Sequence, residues 1–330
     1  MKNGHRNDDD LFIYEREIRP WLPRRIFDAH SHLLNATDHD DDQAAADPFF
    51  YQVDMKDLQA WWRLLFPNAK VNGLVMGMPV YNCDLDAENR FVAESVVDAE
   101  DRFSLMTRPE MAPEKLKNEI EKYNPAGLKP YLTFATVADK QQARITDFIS
   151  EEQLQLANDF GLAVTLHVSK PRGMADPENL QDISRLIRQY PKCQFILAHC
   201  GRCFIAPNMA DALDGLPTAE NLWIDTSAVC ETDVFLELFS RYDLSHILFG
   251  TDLVNAAAFR GRYVQLGLSW HVVTPDMVTR QGGLSARATF AVYENVRALL
   301  RAARFCQIGE DNIQNIFYGN AARLFKLTST

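Results

Sequence analysis

The chain has no hydrophobic run near the roughly 18 residues that a membrane-spanning helix needs. Its first residues, Met1-Lys2-Asn3-Gly4-His5-Arg6-Asn7-Asp8, hold no apolar signal-peptide core. Positive charge is in short supply: 34 Lys and Arg stand against 45 Asp and Glu, a formal net charge of −11. Affinity for a phosphate backbone comes from clustered cations, so the expected partner is a small molecule, with no nucleic acid and no membrane. Cysteine is scarce, six in 330 residues at irregular spacing, which argues against a disulfide framework and fits a reducing compartment. The expected location is the cytoplasm. Cys200-Gly201-Arg202-Cys203 is a C-x-x-C, but no second such pair completes a four-thiolate site, so these thiols read as packing. There is no G-x-x-x-x-G-K-[ST] phosphate loop, no internal repeat and no long low-complexity tract.

What is present is a rhythm of short apolar runs. Strand candidates fall at 25–30, 71–79, 102–107, 126–132, 162–168, 194–199, 221–226 and 246–251. Helical patterns separate them. Ser150-Glu151-Glu152-Gln153 is a capping box ahead of Leu154, Ala157 and Phe160, and Gly161 closes that helix; Asp176-Pro177-Glu178 opens another with cap then proline. Eight strand-plus-helix units predict an α/β fold, a (β/α)8 TIM barrel with its site at the carboxyl ends of the strands. With 47% hydrophobic residues, residues 1–330 are expected to form a single domain, an N-terminal arm at 1–24 and a barrel over 25–328.

Several of these runs end in a residue that can bind metal. Asp28-Ala29-His30-Ser31-His32 closes the first, and strand alternation puts His30 and His32 on one side. Leu166-His167-Val168, Ala198-His199-Cys200 and Gly250-Thr251-Asp252 close three others. Each taken alone has an ordinary reading, His167 or His199 as a satisfied core histidine and Asp252 as a cap or turn. Together they suit one divalent-metal site, because converging imidazoles and a carboxylate on stiff strand ends match zinc and its neighbours.

These fragments resemble the amidohydrolase superfamily, in the branch that contains metal-dependent hydrolases and aminocarboxymuconate-semialdehyde decarboxylase, over roughly residues 24 to 328. The resemblance implies that His30, His32 and His167 bind metal, that His199 contacts metal or substrate, and that Asp252 binds metal and moves protons. It also implies that the stretch Asn312 to Phe325 is the structural helix ending the barrel. In some relatives the lysine matching Lys129, in Gly127-Leu128-Lys129-Pro130-Tyr131, is carboxylated and bridges two ions. Three readings of Lys129 stand: a bridging metal ligand, an unmodified cation that holds an anionic substrate, or a lysine reaching to the barrel rim. The cofactor is a divalent metal, zinc by default from the ligand types, as one ion or two.

The implied reaction is hydrolysis of an amide, lactone or related carbonyl bond in a small anionic substrate. A bound ion acidifies water from 15.7 toward about 7, Asp252 moves the proton, and His199 orients or protonates the substrate. Lys129, Lys170 and Arg202 are the expected substrate contacts, with Arg172 either a further contact or solvent-exposed; Asp225 and Ser227 are expected to support the site from behind. The alternative keeps the same metal site for non-oxidative decarboxylation of a small carboxylic acid. A barrel that has lost catalysis and serves as a binding protein is the third reading.

Three segments stand outside the barrel pattern. The arm ends in Trp21-Leu22-Pro23 and is expected across the barrel floor or against a neighbouring subunit, which is compatible with a homodimer. Residues 33–68 carry the run Asp38-His39-Asp40-Asp41-Asp42, read as a solvated loop, and the aromatics Phe49, Phe50, Tyr51, Trp61 and Trp62, read as roof or core. Residues 253–290, with Trp270 and His271, form a long loop expected to set substrate choice.

Overall fold

The computed structural model describes residues 4–35, 52–79, 83–254, 257–280 and 287–327. Eight parallel strands run in sequence order around one sheet: β1 (Arg25–Leu33), β2 (Lys70–Gly77), β3 (Arg102–Thr107), β4 (Gly127–Pro130), β5 (Ala163–Leu166), β6 (Gln194–Leu197), β7 (Leu222–Asp225) and β8 (Ile247–Leu248). The sheet closes through the backbone: Ala29 N donates to Phe249 O at 2.8 Å, Asp252 N to His30 O at 2.8 Å and His32 N to Leu253 O at 2.6 Å. The result is the (β/α)8 barrel expected. Strands such as Ala163-Val164-Thr165-Leu166 are buried along their whole length, as parallel strands covered on both faces must be. The expected caps form. Ser150 and Gln153 exchange side-chain bonds at the start of Glu151–Phe160, Gly161 closes it at φ 65°, and Asp176 caps Pro177–Gln189.

The barrel floor is closed by the C-terminal segment. Ala321, Phe325 and Leu327 pack on the inward residues Phe27, Leu74, Met76, Ile196, Trp223 and Leu248, with the Phe27 and Phe325 rings 5.4 Å apart. This rules out the first of the two courses expected for the arm, the one across the floor. The arm instead runs as the helix Asp8–Ile13, a wider π-helical turn Tyr14–Ile18 that packs against helix Ala291–Phe305, and a tight 3-10 turn Arg19–Trp21. Tyr14 stacks on Tyr293 at 5.9 Å, Glu17 pairs with Arg297, and Arg304 covers Trp21. The C-terminal segment fills the floor, and the arm packs on the last long helix instead.

One open choice closes and one expectation changes. Trp61 and Trp62, on helix Met55–Leu65, are core residues, Trp62 Nε1 donating to Asp28 Oδ2 at 2.9 Å; they do not roof the site. The acidic run Asp38–Asp42 and Phe49, Phe50 and Tyr51 lie outside the described residues. Residues 253–290 are not simply a loop. They contain an antiparallel hairpin, β9 (Arg262–Leu266) and β10 (Ser269–Val273), followed by helix Pro275–Arg280. Among the described residues no helix is long and apolar enough to cross a membrane, and all six cysteines, Cys200 and Cys203 included, are free.

Candidate metal centre and active site

A cavity of about 560 Å³ opens at the carboxyl end of the barrel, lined by His30, His32, Lys129, Tyr131, His167, His199 and Asp252 among others. Each of these side chains sits at or just past a strand end. Strand β1 carries an irregularity between Asp28 and Ser31 in its pairing with β2, and bulges of this kind re-aim side chains. His30 and His32 face one another there with ring centres 5.1 Å apart. His199 is held differently. His199, Cys200, Gly201 and Arg202 all have positive φ, between 52° and 61°, a left-handed turn that costs about 1–2 kcal/mol per non-glycine residue. Asp225 Oδ1 accepts from His199 N at 3.0 Å, and Arg202 Nη1 donates to Val168 O at 3.0 Å. Gly173, itself at φ 58°, lets the turn approach: a Cβ there would lie 2.4 Å from Gly201 O.

The hydrogen bonds behind the histidines decide which nitrogen faces the cavity. His30 Nδ1 is 2.8 Å from Asp225 Oδ2 and donates to it. Ser227 Oγ donates to Asp225 Oδ1 at 2.5 Å, so it accepts from His199 Nδ1 at 2.8 Å. Tyr131 gives its hydroxyl hydrogen to Gly77 O at 2.6 Å, so His32 Nδ1, 3.2 Å from Tyr131 Oη, is the donor there. The Nε2 lone pairs of His32 and His199 are therefore free for the site, while that of His30 faces the Lys129 ammonium at 3.2 Å. Asp252 Oδ1 lies 3.1 Å from His32 Nε2 and 3.6 Å from His30 Nε2. Lone pairs facing a carboxylate at such distances repel unless a cation joins them. Ligand atoms of His30, His199 and Asp252 all lie within 4.8 Å of one another, and the donor set fits a divalent ion.

Charge states agree. Burial lowers His32, lowers His199 to about 4, and with the neighbouring charges of His199 and Arg202 takes His167 well below the usual histidine range. Neutral imidazoles are the metal-binding form. Burial alone would raise Asp225 and Asp252. Positive charge at the cluster, with the bonds Asp225 accepts from His30 and Ser227, opposes burial and holds both carboxyls well below the usual range, so both are ionised at neutral pH.

The structure thus brings His30, His32, His167, His199, Asp252 and Lys129 to one cavity. Lys129 is buried, with Nζ 3.2 Å from His30 Nε2, which overturns the rim reading; burial lowers it to about 8. Lys170 and Arg202 are not brought in. Lys170 pairs with Glu178 at 2.6 Å and donates to Gln142 O, Arg202 braces Val168, and neither lines the cavity. Arg172 pairs with exposed Asp211 at the surface. His271 is exposed and meets Ser269. The hairpin reaches the site through aromatic rings: Trp270 lies 4.5 Å and Tyr263 5.3 Å from Phe204, which stacks on His199 at 6.1 Å.

Sequence reasoning missed Tyr131, Thr133, Lys140 and Gln141, all of which line the cavity. Tyr131 was findable, since it is two residues past Lys129 and on the same side of the strand. It also missed Asp28, whose buried carboxylate accepts from Thr251 N, Thr251 Oγ1, Trp62 Nε1 and His30 N, clamping β1 to the segment that carries Asp252.

The family model described as Amidohydrolase matches residues 27–327. A search of curated protein sequences finds no match. Among solved structures the chain is similar to amidohydrolase 2 from Bifidobacterium longum subsp. infantis, at 16% identity and a TM-score of 0.55, covering 93% of this chain and 100% of that one. It is similar to the probable 2-pyrone-4,6-dicarboxylic acid hydrolase of Acinetobacter baumannii, solved with citric acid bound, at 14% and 0.57, covering 91% and 99%. A dihydroxybenzoic acid decarboxylase from Polaromonas sp. JS666, solved with manganese and 2-nitroresorcinol, matches at 15% and 0.54, covering 93% and 98%. The chain belongs to the amidohydrolase family, and it is a metal-dependent enzyme, a hydrolase or a decarboxylase.

Proposed function

We propose that this enzyme is a hydrolase that cleaves an amide, lactone or related carbonyl bond in a small anionic substrate. The observation that carries the reading is Asp252, ionised, buried and 3.1 Å from His32 Nε2 in the cavity that also holds His30, His167 and His199. His30, His199 and Asp252, with His32 and His167 beside them, would hold one divalent ion, which when bound would supply Lewis-acid polarisation of the carbonyl and a lowered pKa for water. We assign zinc from the imidazole-rich set; the manganese of the Polaromonas relative makes that metal the other one to test. Asp252 accepts the proton of the attacking water and returns it to the leaving oxygen or nitrogen as the carbonyl bond breaks. Lys129 stays an unmodified ammonium and holds an anionic oxygen of the substrate. Tyr131 holds His32 in its tautomer, and the apolar Met78, Pro79 and Leu132 line the space for the carbon skeleton. A cavity of this size takes a small molecule. Six free cysteines support a reducing, cytoplasmic setting.

Non-oxidative decarboxylation is the second reading. The one cluster found among the described residues, three ligand atoms within 4.8 Å of one another, and the activity of the Polaromonas relative favour it. There the carbon–carbon bond breaks, the electron pair stays on the ring or chain carbon, and that carbon takes a proton. Elemental analysis of protein purified without chelators comes first, followed by parallel assays of lactone and amide hydrolysis and of carbon dioxide release from small carboxylic acids. About one ion per chain with hydrolysis abolished by Asp252→Asn supports the proposal. Carbon dioxide release without hydrolysis transfers the assignment to the second reading. No ion even after reconstitution overturns both.

A further inference from the structure

The segment after β4 folds as three short turns, Leu132–Phe134, Lys140–Gln142 and Ile145–Asp147. Most of its charged groups are spent on its own folding. Arg144 forks onto Asp182 with bonds of 2.7 and 2.5 Å, Asp139 caps the Lys140 turn through Gln141 N, and Asp147 accepts from Arg144 N; from beyond β5, Lys170 donates to Gln142 O. Three side chains are not spent. Thr133, Lys140 and Gln141 all line the cavity. Among the described residues the Thr133 hydroxyl and the Gln141 amide have no hydrogen-bond partner, and the Lys140 ammonium has one, the Ala135 carbonyl. An ammonium has three donors.

Lys70, Lys115, Lys117 and Lys170 each have a carboxylate within 4 Å. Lys140 has none among the described residues; Lys56, Lys122, Lys192 and Lys326 share that, but of these Lys140 is the one that lines the cavity. No hydrogen bond or ion pair joins it to His30, His32, His167, His199 or Asp252, whereas Lys129 touches His30. Apolar and aromatic surface from Met78, Pro79, Tyr131 and Leu132 lines the same cavity. The cavity therefore presents two kinds of polar surface, the ligand cluster and a set of unspent donors carrying one positive charge.

We propose that Thr133, Lys140 and Gln141 form a second subsite that binds a carboxylate on the part of the substrate not engaged by the ligand cluster. The substrate class is then a molecule with one group reacting at the cluster and a separate carboxylate held by this segment. The inference rests on reading the cavity as a metal-dependent active site. Charge-assisted hydrogen bonds from an ammonium to a carboxylate are strong enough to govern affinity where few other polar contacts exist.

The test is calorimetric titration of the manganese-loaded full-length protein with paired probes: benzoate against benzene-1,3-dicarboxylate, and butanoate against pentanedioate. Wild type is expected to bind at least one dicarboxylate about tenfold more tightly than its monocarboxylate partner. Lys140→Met should bring that ratio to about twofold or less while leaving metal content and monocarboxylate binding unchanged, and Lys140→Arg should keep most of the preference. No dicarboxylate preference in wild type, binding of none of the probes included, overturns the proposal. Equal weakening of both members of a pair by Lys140→Met does so too. Failure of the underlying reading shows separately, as a protein that holds neither zinc nor manganese or whose monocarboxylate binding survives His30→Ala.

Discussion

The carboxylate of Asp225 accepts from His30 Nδ1 at 2.8 Å and, through Ser227 Oγ, also sets the tautomer of His199. One buried acid from β7 thus aims two ligands that come from β1 and from the turn after β6. An acid that serves two histidines has a larger effect than the usual partner of a single ligand, because its loss frees both rings to turn their Nε2 away from the site.

Asp225→Asn keeps the shape and removes the charge. Loss of such a supporting group lowers metal affinity by about 10–100-fold. We expect a loss at the upper end for this variant, and a smaller one for Ser227→Ala, which disturbs His199 alone. Competition against a chromophoric chelator measures both, and equal effects from the two variants would contradict the shared role of Asp225.

The left-handed turn at His199 depends on Gly173. Gly173→Ala puts a methyl 2.4 Å from Gly201 O at a residue with φ 58°, and we expect a loss of about 3 kcal/mol in stability together with weaker metal binding. Urea unfolding and metal titration check the two effects. A variant as stable as wild type would show that the turn can relax away from Gly173.

Arg260 ties the segment leading to the β9–β10 hairpin to the N-terminal arm. It donates to the fully buried Asp10 at 2.6 Å, and Asp10 also accepts from Phe290 N. Arg260→Ala leaves that carboxylate buried without its charge partner, which costs about 3–5 kcal/mol. A lowered urea midpoint and faster proteolysis within 257–280 are the expected readouts.

Asp101 gives a pH signature. Burial pushes its carboxyl up from 3.8 to about 6, against the bonds it accepts from Gly73 N and Asn72 Nδ2. Between these values the folded protein binds more protons than the unfolded chain, so stability falls as pH rises from about 4 to about 6 and stays reduced above that. Asp101→Asn offers the same acceptor oxygen without the charge. It should be more stable than wild type by about 1–3 kcal/mol at pH 7, a difference that vanishes near pH 4. Urea unfolding across that range tests the sign, and a variant less stable at pH 7 would refute it.

By itself, the order of apolar runs determined the barrel, since a parallel strand buried on both faces must be apolar throughout and its helix must be amphipathic. The ligand-type residues at strand ends were legible for the same reason: the period of two and the end of an apolar run locate His30, His32 and His199 with no tertiary information. Tertiary structure alone decided the rest. Lys170 and Lys140 look alike as lysines past strand ends, and only the position of Glu178 on a neighbouring helix shows that the first is neutralised while the second faces the cavity. The arm's course depended on which surface the C-terminal segment covers. Asp28 acts through Thr251, across the closure of the barrel, and Asp225 through His30. Contacts between residues so far apart along the chain arise from how the barrel closes, and local periodicity carries no trace of them.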